Sequence, residues 1–171
     1  MKRRHSETSK IALCASLAAL SFVALALGTA TAVLDMSACV VAGLATAVMM
    51  RETDTAHAAC AVAVCFILCA VLLPDKTVAA LYLTVGGVYP FVKPIADRLR
   101  RVPRIALKLA VMEASIAVYV VMMKIFMPSE VEGYIALAFF ALGTLCFFLY
   151  DVLLSRFGII YELKLRKMFK M

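Results

Sequence analysis

Long, nearly uncharged apolar stretches recur along this chain, and they constrain its fold more than any other feature. Six of them follow one another within 171 residues. Most approach or exceed the roughly 18 residues with which an α-helix crosses the hydrocarbon of a membrane. They occupy residues 11–34, 36–50, 56–73, 77–92, 105–127 and 131–154. The pattern predicts an all-α integral membrane protein, built as a bundle of six transmembrane helices.

The composition excludes a water-soluble fold of this size. Hydrophobic residues make up 65% of the chain, whereas soluble domains contain roughly 45–50%. The predicted membrane domain fills residues 11–155, between a basic leader of residues 1–10 and a basic tail of residues 156–171. No room is left for a second domain, so we expect a multi-pass protein of the cell membrane.

The distribution of Lys and Arg predicts the orientation of the bundle. Cytoplasmic loops of membrane proteins are enriched in these residues. With both termini inside, 16 of the 18 basic residues fall in or beside inside segments, and only Lys76 and Lys124 do not. The formal charge of +7 thus flanks apolar segments and lines no polar face. Anionic membrane lipids, and not nucleic acid, are the predicted partners of this charge.

Two segments leave alternatives open. The first run ends in Ala30-Thr31-Ala32, which fits a signal-peptidase site, so residues 1–32 are either a spanning helix or a cleaved signal. The run is longer than the usual signal core, which favours the spanning helix. The fourth run contains Gly86-Gly87 and Pro90, and its second half is therefore predicted to depart from a regular helix. A basic loop or interfacial helix is expected to follow, over residues 93–104.

Glu113 is the clearest ionisable group within a predicted crossing, about nine residues into the fifth run. A carboxylate at that depth needs a partner or water. It is therefore predicted either to contact a substrate, ion or proton, or to form a structural ion pair with Lys108 or Lys93. The i, i+5 spacing from Lys108 disfavours a pair within one helix.

Polar groups at the predicted outer face are candidates for ligand contacts, although each also has an ordinary role. Four acidic residues are expected in or beside outside loops, where solvated charges are common: Asp35, Asp75, Glu130 and Glu132. Four tyrosines offer hydroxyls and rings, or serve as interfacial belt residues: Tyr82, Tyr89, Tyr119 and Tyr134.

No enzymatic motif is present in the sequence. The patterns of zinc hydrolases, serine hydrolases, P-loop proteins and aspartate-rich phosphotransferases are all missing. His57 stands alone at the beginning of the third run, its predicted cytoplasmic end, and fits a polar cap better than a base. The six cysteines lie in or beside apolar runs without Cys-x-x-Cys, which predicts packed thiols and no metal site. We therefore expect no catalytic residues, cofactor or metal; a lipid-modifying enzyme is the least supported class.

The opening of the chain carries a family resemblance. Residues 10–20 read Lys-Ile-Ala-Leu-Cys-Ala-Ser-Leu-Ala-Ala-Leu, with Ala15 and Ala19 in an Ala-x-x-x-Ala arrangement. Residues 34–37, Leu-Asp-Met-Ser, precede a short second helix rich in Ala and Gly. Over nearly the whole chain this pattern resembles the S components of energy-coupling-factor vitamin transporters, although Met50-Arg51 replaces the Gly-Pro usual in that family. Residues 89–93, Tyr-Pro-Phe-Val-Lys, are similar to a segment of small bacterial membrane proteins.

The resemblance implies a subunit that binds a vitamin-like small molecule from outside, between helices four to six. In that family a small-residue face of the first helix docks on a transmembrane coupling subunit that works with ATPases, which assigns docking to Ala15 and Ala19. The predicted ligand contacts are Glu113, Tyr82, Tyr119 and Asp35. A structural or scaffolding membrane protein without a ligand is the alternative, because the rod-shape protein that scaffolds cell-wall synthesis is similar in helix count.

Overall fold

A computed structural model of the chain describes residues 7–31, 34–126, 133–161 and 163, without the side chains of residues 101, 122–126 and 133–141. These residues form helices and no strand. The α-helices are α1 (Glu7–Thr31), α2 (Asp35–Glu52), α3 (Thr55–Leu72), α4 (Lys76–Leu81), α5 (Tyr89–Ala96), α6 (Arg101–Phe126) and α7 (Gly133–Ile160). A π-helix, Tyr82–Val88, joins α4 to α5 and is called the π segment below. The predicted all-α class is confirmed.

Several sequence predictions fall outside the described residues. These are most of the basic leader, the loop of residues 127–132 with Glu130 and Glu132, and residues 164–171 of the tail. The side chains of Lys124 and Tyr134 are likewise not described.

Four helices in the described part of the chain are long and apolar enough to cross a membrane. They are Glu7–Thr31, Thr55–Leu72, the continuous stretch Lys76–Ala96 and Leu142–Ile160. The protein is therefore a helical membrane protein. The 18 residues of α2 include Asp35, Arg51 and Glu52, and the described part of α6 includes Arg104, Lys108 and Glu113. Charges at these positions keep both helices out of this set.

Small residues bring α1 and α2 into close contact. A Cβ atom added to Gly28 of α1 would lie only 2.6 Å from the Cβ of Ala38 on α2. Ala38, Ala42 and Gly43 are buried. Ala38 and Ala42 belong to the same buried hydrophobic cluster as Leu25 of α1. Since lipid offers no hydrophobic drive for helix association, such close packing supplies the attraction. The small residues of α2 are thus used inside the molecule.

The stretch Lys76–Ala96 stays helical despite its two prolines and its pair of glycines. The irregularity predicted for its second half begins earlier, at Tyr82, and takes the form of a π-helix rather than a loop. Gly86 is needed at this point, because an added Cβ would lie 3.1 Å from the carbonyl oxygen of Cys39 on α2. The wider turn and the missing side chain together let the π segment pack closely against α2.

Pro90 leaves one backbone carbonyl of the π segment without its helical donor. In the i→i+5 pattern of a π-helix, the Val85 oxygen would bond the nitrogen of residue 90, which carries no hydrogen in proline. The Tyr150 hydroxyl on α7 lies 3.4 Å from this oxygen and donates to it. Non-helical backbone inside a membrane needs such a substitute donor. Tyr150 therefore ties α7 to the irregular part of the π segment.

Polar contacts join the helices at the predicted cytoplasmic end. Lys10 on α1 donates to Asp54, just before α3, at 2.7 Å. Arg51 on α2 donates to the carbonyl oxygen of Gly158 on α7 at 3.1 Å. The absence of a side chain at Gly158 makes room for the guanidinium, because an added Cβ would lie 2.4 Å from Arg51 Nη2.

The Gly43→Ala substitution tests the contact between α2 and α7. An added Cβ would overlap the Tyr150 hydroxyl at 2.0 Å, so we expect a loss of about 1–3 kcal/mol in the free energy of unfolding. Denaturation followed by circular dichroism in mild detergent measures the loss.

Gly143→Ala on α7 is the matched control, because its added Cβ meets only the flexible end of Ile116, at 3.0 Å. We expect it to cost less than Gly43→Ala, and we expect Tyr150→Phe to rescue part of the Gly43→Ala loss. Equal losses for the two alanine variants would contradict the proposed contact.

Candidate functional site

A cavity of about 420 Å³ lies among α2, the π segment, α6 and α7, with Leu81 of α4 at its edge. This volume is within the roughly 300–1,000 Å³ of pockets that hold small molecules. Its lining is almost entirely apolar. Three of its hydroxyls donate to backbone carbonyls: Ser37 to Leu34 at 2.8 Å, Ser115 to Val111 at 2.7 Å, and Tyr150 to Val85 at 3.4 Å.

Regular helical spacing produces two of the cavity walls. On α6 the lining residues are Met112, Ser115, Ile116 and Tyr119, and on α7 they include Gly143, Cys146, Phe147 and Tyr150. Both sets follow the i, i+3, i+4, i+7 pattern of one helix face. Gly143 carries no side chain and leaves space between the two faces.

The structure brings together two of the four predicted ligand contacts. Tyr119 lines the cavity, and Asp35 directly precedes the lining residues Met36 and Ser37 at the beginning of α2. Tyr82 is completely buried in the core with Leu25, Cys39 and Cys65, away from the cavity lining. Glu113 follows Met112 on α6 but lies on another face and is exposed.

Asp35 has an unusual environment for a residue at the edge of an apolar run. It is half-buried, and its Oδ1 atom has no hydrogen-bond partner among the described residues. Burial raises the pKa of the Asp35 carboxyl, and the negative charge of Asp75 raises it further. The beginning of α2 therefore places a poorly solvated carboxyl beside the cavity.

A second polar site, at the junction of α5, α6 and α7, was not predicted. Lys93 is 7% exposed and forms an ion pair with Asp151. Its ammonium also donates to the Asp151 carbonyl and the Ser155 hydroxyl, both at 2.8 Å. Lys108 on α6 lies 3.0 Å from Asp151 Oδ2 and 3.0 Å from Asp97 Oδ1. We call these charged residues, with Tyr89, the Asp151 network.

The Asp151 network corrects two expectations from the sequence. Lys93 was expected in a polar segment after the fourth crossing, yet it lies inside α5 and is buried. An ion pair with Lys108 or Lys93 was one of the alternatives for Glu113, yet both lysines contact Asp151. The partners lie 58 and 43 residues apart, beyond any local spacing rule. Asp151 within the apolar run 131–154 was the sequence signal that could have pointed to them.

Two aromatic rings of the cavity lining, Phe147 and Tyr150, pack against Tyr89 of the Asp151 network. The Tyr89 ring centroid lies 4.5 Å from that of Phe147 and 5.6 Å from that of Tyr150. Phe147 and Tyr150 line the cavity, whereas the Tyr89 hydroxyl donates to Asp151 Oδ1. The two sites thus share one layer of side chains.

The predicted docking residues lie on a different surface. Ala15 and Ala19 are exposed on α1. Ala15 also borders a shallow groove between α1 and α3 of about 350 Å³, with Ala18, Ala56 and Ala61. The two predicted functions, ligand binding and partner docking, therefore map to separate parts of the molecule.

Asp151→Asn tests whether the Asp151 network holds the three helices together. Lys93 would keep a buried positive charge without its carboxylate, and breaking a buried pair in this way costs roughly 3–5 kcal/mol. We expect a loss of that size in the free energy of unfolding, measured by denaturation in detergent.

The double variant Lys93→Met, Asp151→Leu removes both charges and serves as the comparison. Because replacing a whole buried pair is often neutral, we expect it to recover most of the stability lost in Asp151→Asn. An Asp151→Asn chain as stable as the parent chain would show that the network carries little of the packing.

Comparison with protein-family models, with curated proteins and with solved structures finds no match to this chain.

Proposed function

We propose that this chain is a membrane subunit that captures a small, largely apolar molecule. The cavity among α2, the π segment, α6 and α7 carries this proposal, because its volume and apolar lining suit a small-molecule body. Two of its walls belong to the fifth and sixth apolar runs and one to the fourth, the region expected to hold a ligand. The ligand contacts we propose are Tyr119 and, at the edge, Asp35.

The topology proposed for this function has six crossings, with both termini in the cytoplasm. The placement of basic residues supports it, since Arg51, Arg98, Arg100 and Arg104 all fall at one predicted face. Under this topology α2 and α6 complete the bundle with the four apolar helices. The beginning of α2 then faces outward, so the cavity edge at Asp35 is reached from outside.

We also propose that the chain depends on a partner for energy, as the resemblance to S components implies. The exposed Ala15 and Ala19 on α1 would provide a flat face for a transmembrane coupling subunit. The separation of this face from the cavity supports a division between ligand binding and docking.

The alternative is a scaffolding membrane protein without a ligand. The observation that favours it is the groove between α1 and α3, whose alanines would let a helix of another protein approach closely. Under this alternative the cavity would be filled by lipid or would close, and no small molecule would bind specifically.

A tag inserted after Pro74 tests the topology. Pro74 is exposed between α3 and α4, a loop that the proposal places outside. We expect an antibody to reach this tag in intact spheroplasts and to reach a tag after Met171 only once the membrane is permeabilised. The opposite pattern would reverse the orientation and remove the outward opening of the cavity.

Cys146→Phe tests ligand capture. Cys146 lines the cavity, and the larger ring would occupy its space. We expect the affinity for 2-naphthylethanol to fall by about tenfold or more, equivalent to about 1.4 kcal/mol. Naphthalene fluorescence reports the binding, and the chain contains no Trp to obscure it.

Leu145→Phe is the matched control, because Leu145 is the preceding residue of α7 and is 61% exposed, facing away from the cavity. Both variants experience the same partition of the probe into detergent, so their difference isolates the cavity. The proposed capture fails if neither variant binds the probe differently from the parent chain.

A further inference from the structure

A groove of about 560 Å³ lies between α6 and α7, beside the Asp151 network, and is called the α6–α7 groove below. Ile105 and Leu109 of α6 and Phe148 of α7 line it, and all three side chains are exposed. Phe148 is 70% exposed and lies within the apolar stretch Leu142–Ile160, so its ring faces hydrocarbon. The α6–α7 groove is therefore open sideways to the membrane.

One end of the α6–α7 groove is charged. Arg104 lines this end, and Lys108 follows one helical turn later on the same face of α6. Asp97 and Asp151 line it as well. Arg104 lies close to the start of α6, directly after the exposed turn of residues 97–100. The charged end thus lies near the level at which the chain leaves the hydrocarbon for the polar membrane surface.

The two carboxylates at the charged end are matched by two lysines. Lys108 lies 3.0 Å from Asp97 Oδ1 and 3.0 Å from Asp151 Oδ2, and Lys93 also pairs with Asp151. Arg104 is half-buried at the same end, yet within the part of the chain that the structure describes its guanidinium has no hydrogen-bond or ion-pair partner. One positive charge therefore remains without a counterion beside an apolar groove.

We propose that the α6–α7 groove binds a phospholipid with a net negative head group. The lipid phosphate pairs with Arg104, whose planar guanidinium can donate two parallel hydrogen bonds to it. One acyl chain lies along Ile105, Leu109 and Phe148. Basic pockets between membrane helices are typical binding sites for such head groups. The sequence predicted a general attraction of basic residues to anionic lipid, and the groove assigns a defined part of it to one site.

Other occupants fit the α6–α7 groove less well. A zwitterionic lipid brings no net charge to offset Arg104, which would repel its ammonium group. A free inorganic anion would leave the apolar wall of the groove uncovered. A helix of another membrane protein approaches most closely over small residues, whereas Ile105, Leu109 and Phe148 are large.

This inference goes beyond the proposed function and does not depend on it. The α6–α7 groove and the cavity share Met112 and Phe147 in their walls, but the charged end belongs to the groove alone. Capture of a small molecule in the cavity can therefore fail while lipid binding in the groove holds, and the reverse is equally possible.

Quenching of a single tryptophan by brominated lipid tests the site, because the parent chain contains no Trp. Phe148→Trp places the reporter in the groove, and the exposure of Phe148 leaves room for the larger ring. Ile67→Trp is the matched reporter. Ile67 is also exposed and lies at a similar distance from the predicted cytoplasmic end of α3, away from the groove.

Each full-length reporter is reconstituted in vesicles of equal parts phosphatidylglycerol and phosphatidylcholine, of which one or the other is brominated. We expect phosphatidylglycerol to be favoured about fivefold at Phe148→Trp, the preference that one cation near the membrane surface provides. At Ile67→Trp we expect a preference of less than about twofold.

Arg104→Gln in the Phe148→Trp chain removes the charge that has no counterion. We expect it to lower the preference for phosphatidylglycerol to the value at Ile67→Trp. Arg98→Gln is the control, because it removes the same charge from an exposed position in the turn before α6 that does not line the groove. It should leave the preference at Phe148→Trp unchanged.

Equal quenching by the two brominated lipids at Phe148→Trp would overturn the site. A preference of the same size at Ile67→Trp, or an equal fall in Arg104→Gln and Arg98→Gln, would also overturn it by showing a general attraction of the basic surface. Weak quenching by both lipids at Phe148→Trp alone would show that something other than lipid covers the groove, again against the proposal. The comparison of the two reporters leaves Arg104 in place, so it decides the matter even where Arg104→Gln folds poorly.

Discussion

Hydrocarbon cannot hydrogen-bond a backbone, and this constraint governs the centre of the molecule. The π segment, with Pro90 following it, has one carbonyl more than its own amides can satisfy. Tyr150 supplies the missing donor from α7, and Gly43 provides the space in which its hydroxyl lies. A single side chain thereby connects three elements, α2, the π segment and α7. The cavity lies beside this connection, and one face of α6 forms its other wall.

The Asp151 network is governed by the free-energy cost of burying charged side chains. Taking Lys93 and Asp151 out of water costs free energy that their attraction repays only with good geometry and full hydrogen bonding. Asp151 accepts hydrogen bonds from three donors. Tyr89 and Lys93 lie on α5, and Lys108 lies on α6. Such a network adds little net stability over an apolar core, but it fixes how α5, α6 and α7 align. Alignment matters in a lipid environment where apolar contacts alone specify few unique arrangements.

The all-α fold class and the long apolar helices could be predicted from the sequence, because long hydrophobic runs have few physical solutions. Lys93 could not be placed, since Pro90 and Pro94 suggested that the helix would break before it, and the π segment absorbs the disturbance instead. Glu113 lies on an exposed face of α6, away from the cavity lining. It is one residue from Met112, and a rotation of about 100° along α6 separates a cavity wall from the exposed face. Asp35 and Tyr119 lie on elements that both pack against α4, a tertiary fact that spacing does not encode.

The aromatic layer between the cavity and the Asp151 network means that neither can change shape alone. Phe147 and Tyr150 present one surface to the cavity and the other to Tyr89, whose hydroxyl helps to hold Asp151. Any occupant that displaces these rings must also displace Tyr89 and so disturb the carboxylate that joins α5, α6 and α7. A change in the cavity beside the beginning of α2 is thereby transmitted to the junction of α5, α6 and α7.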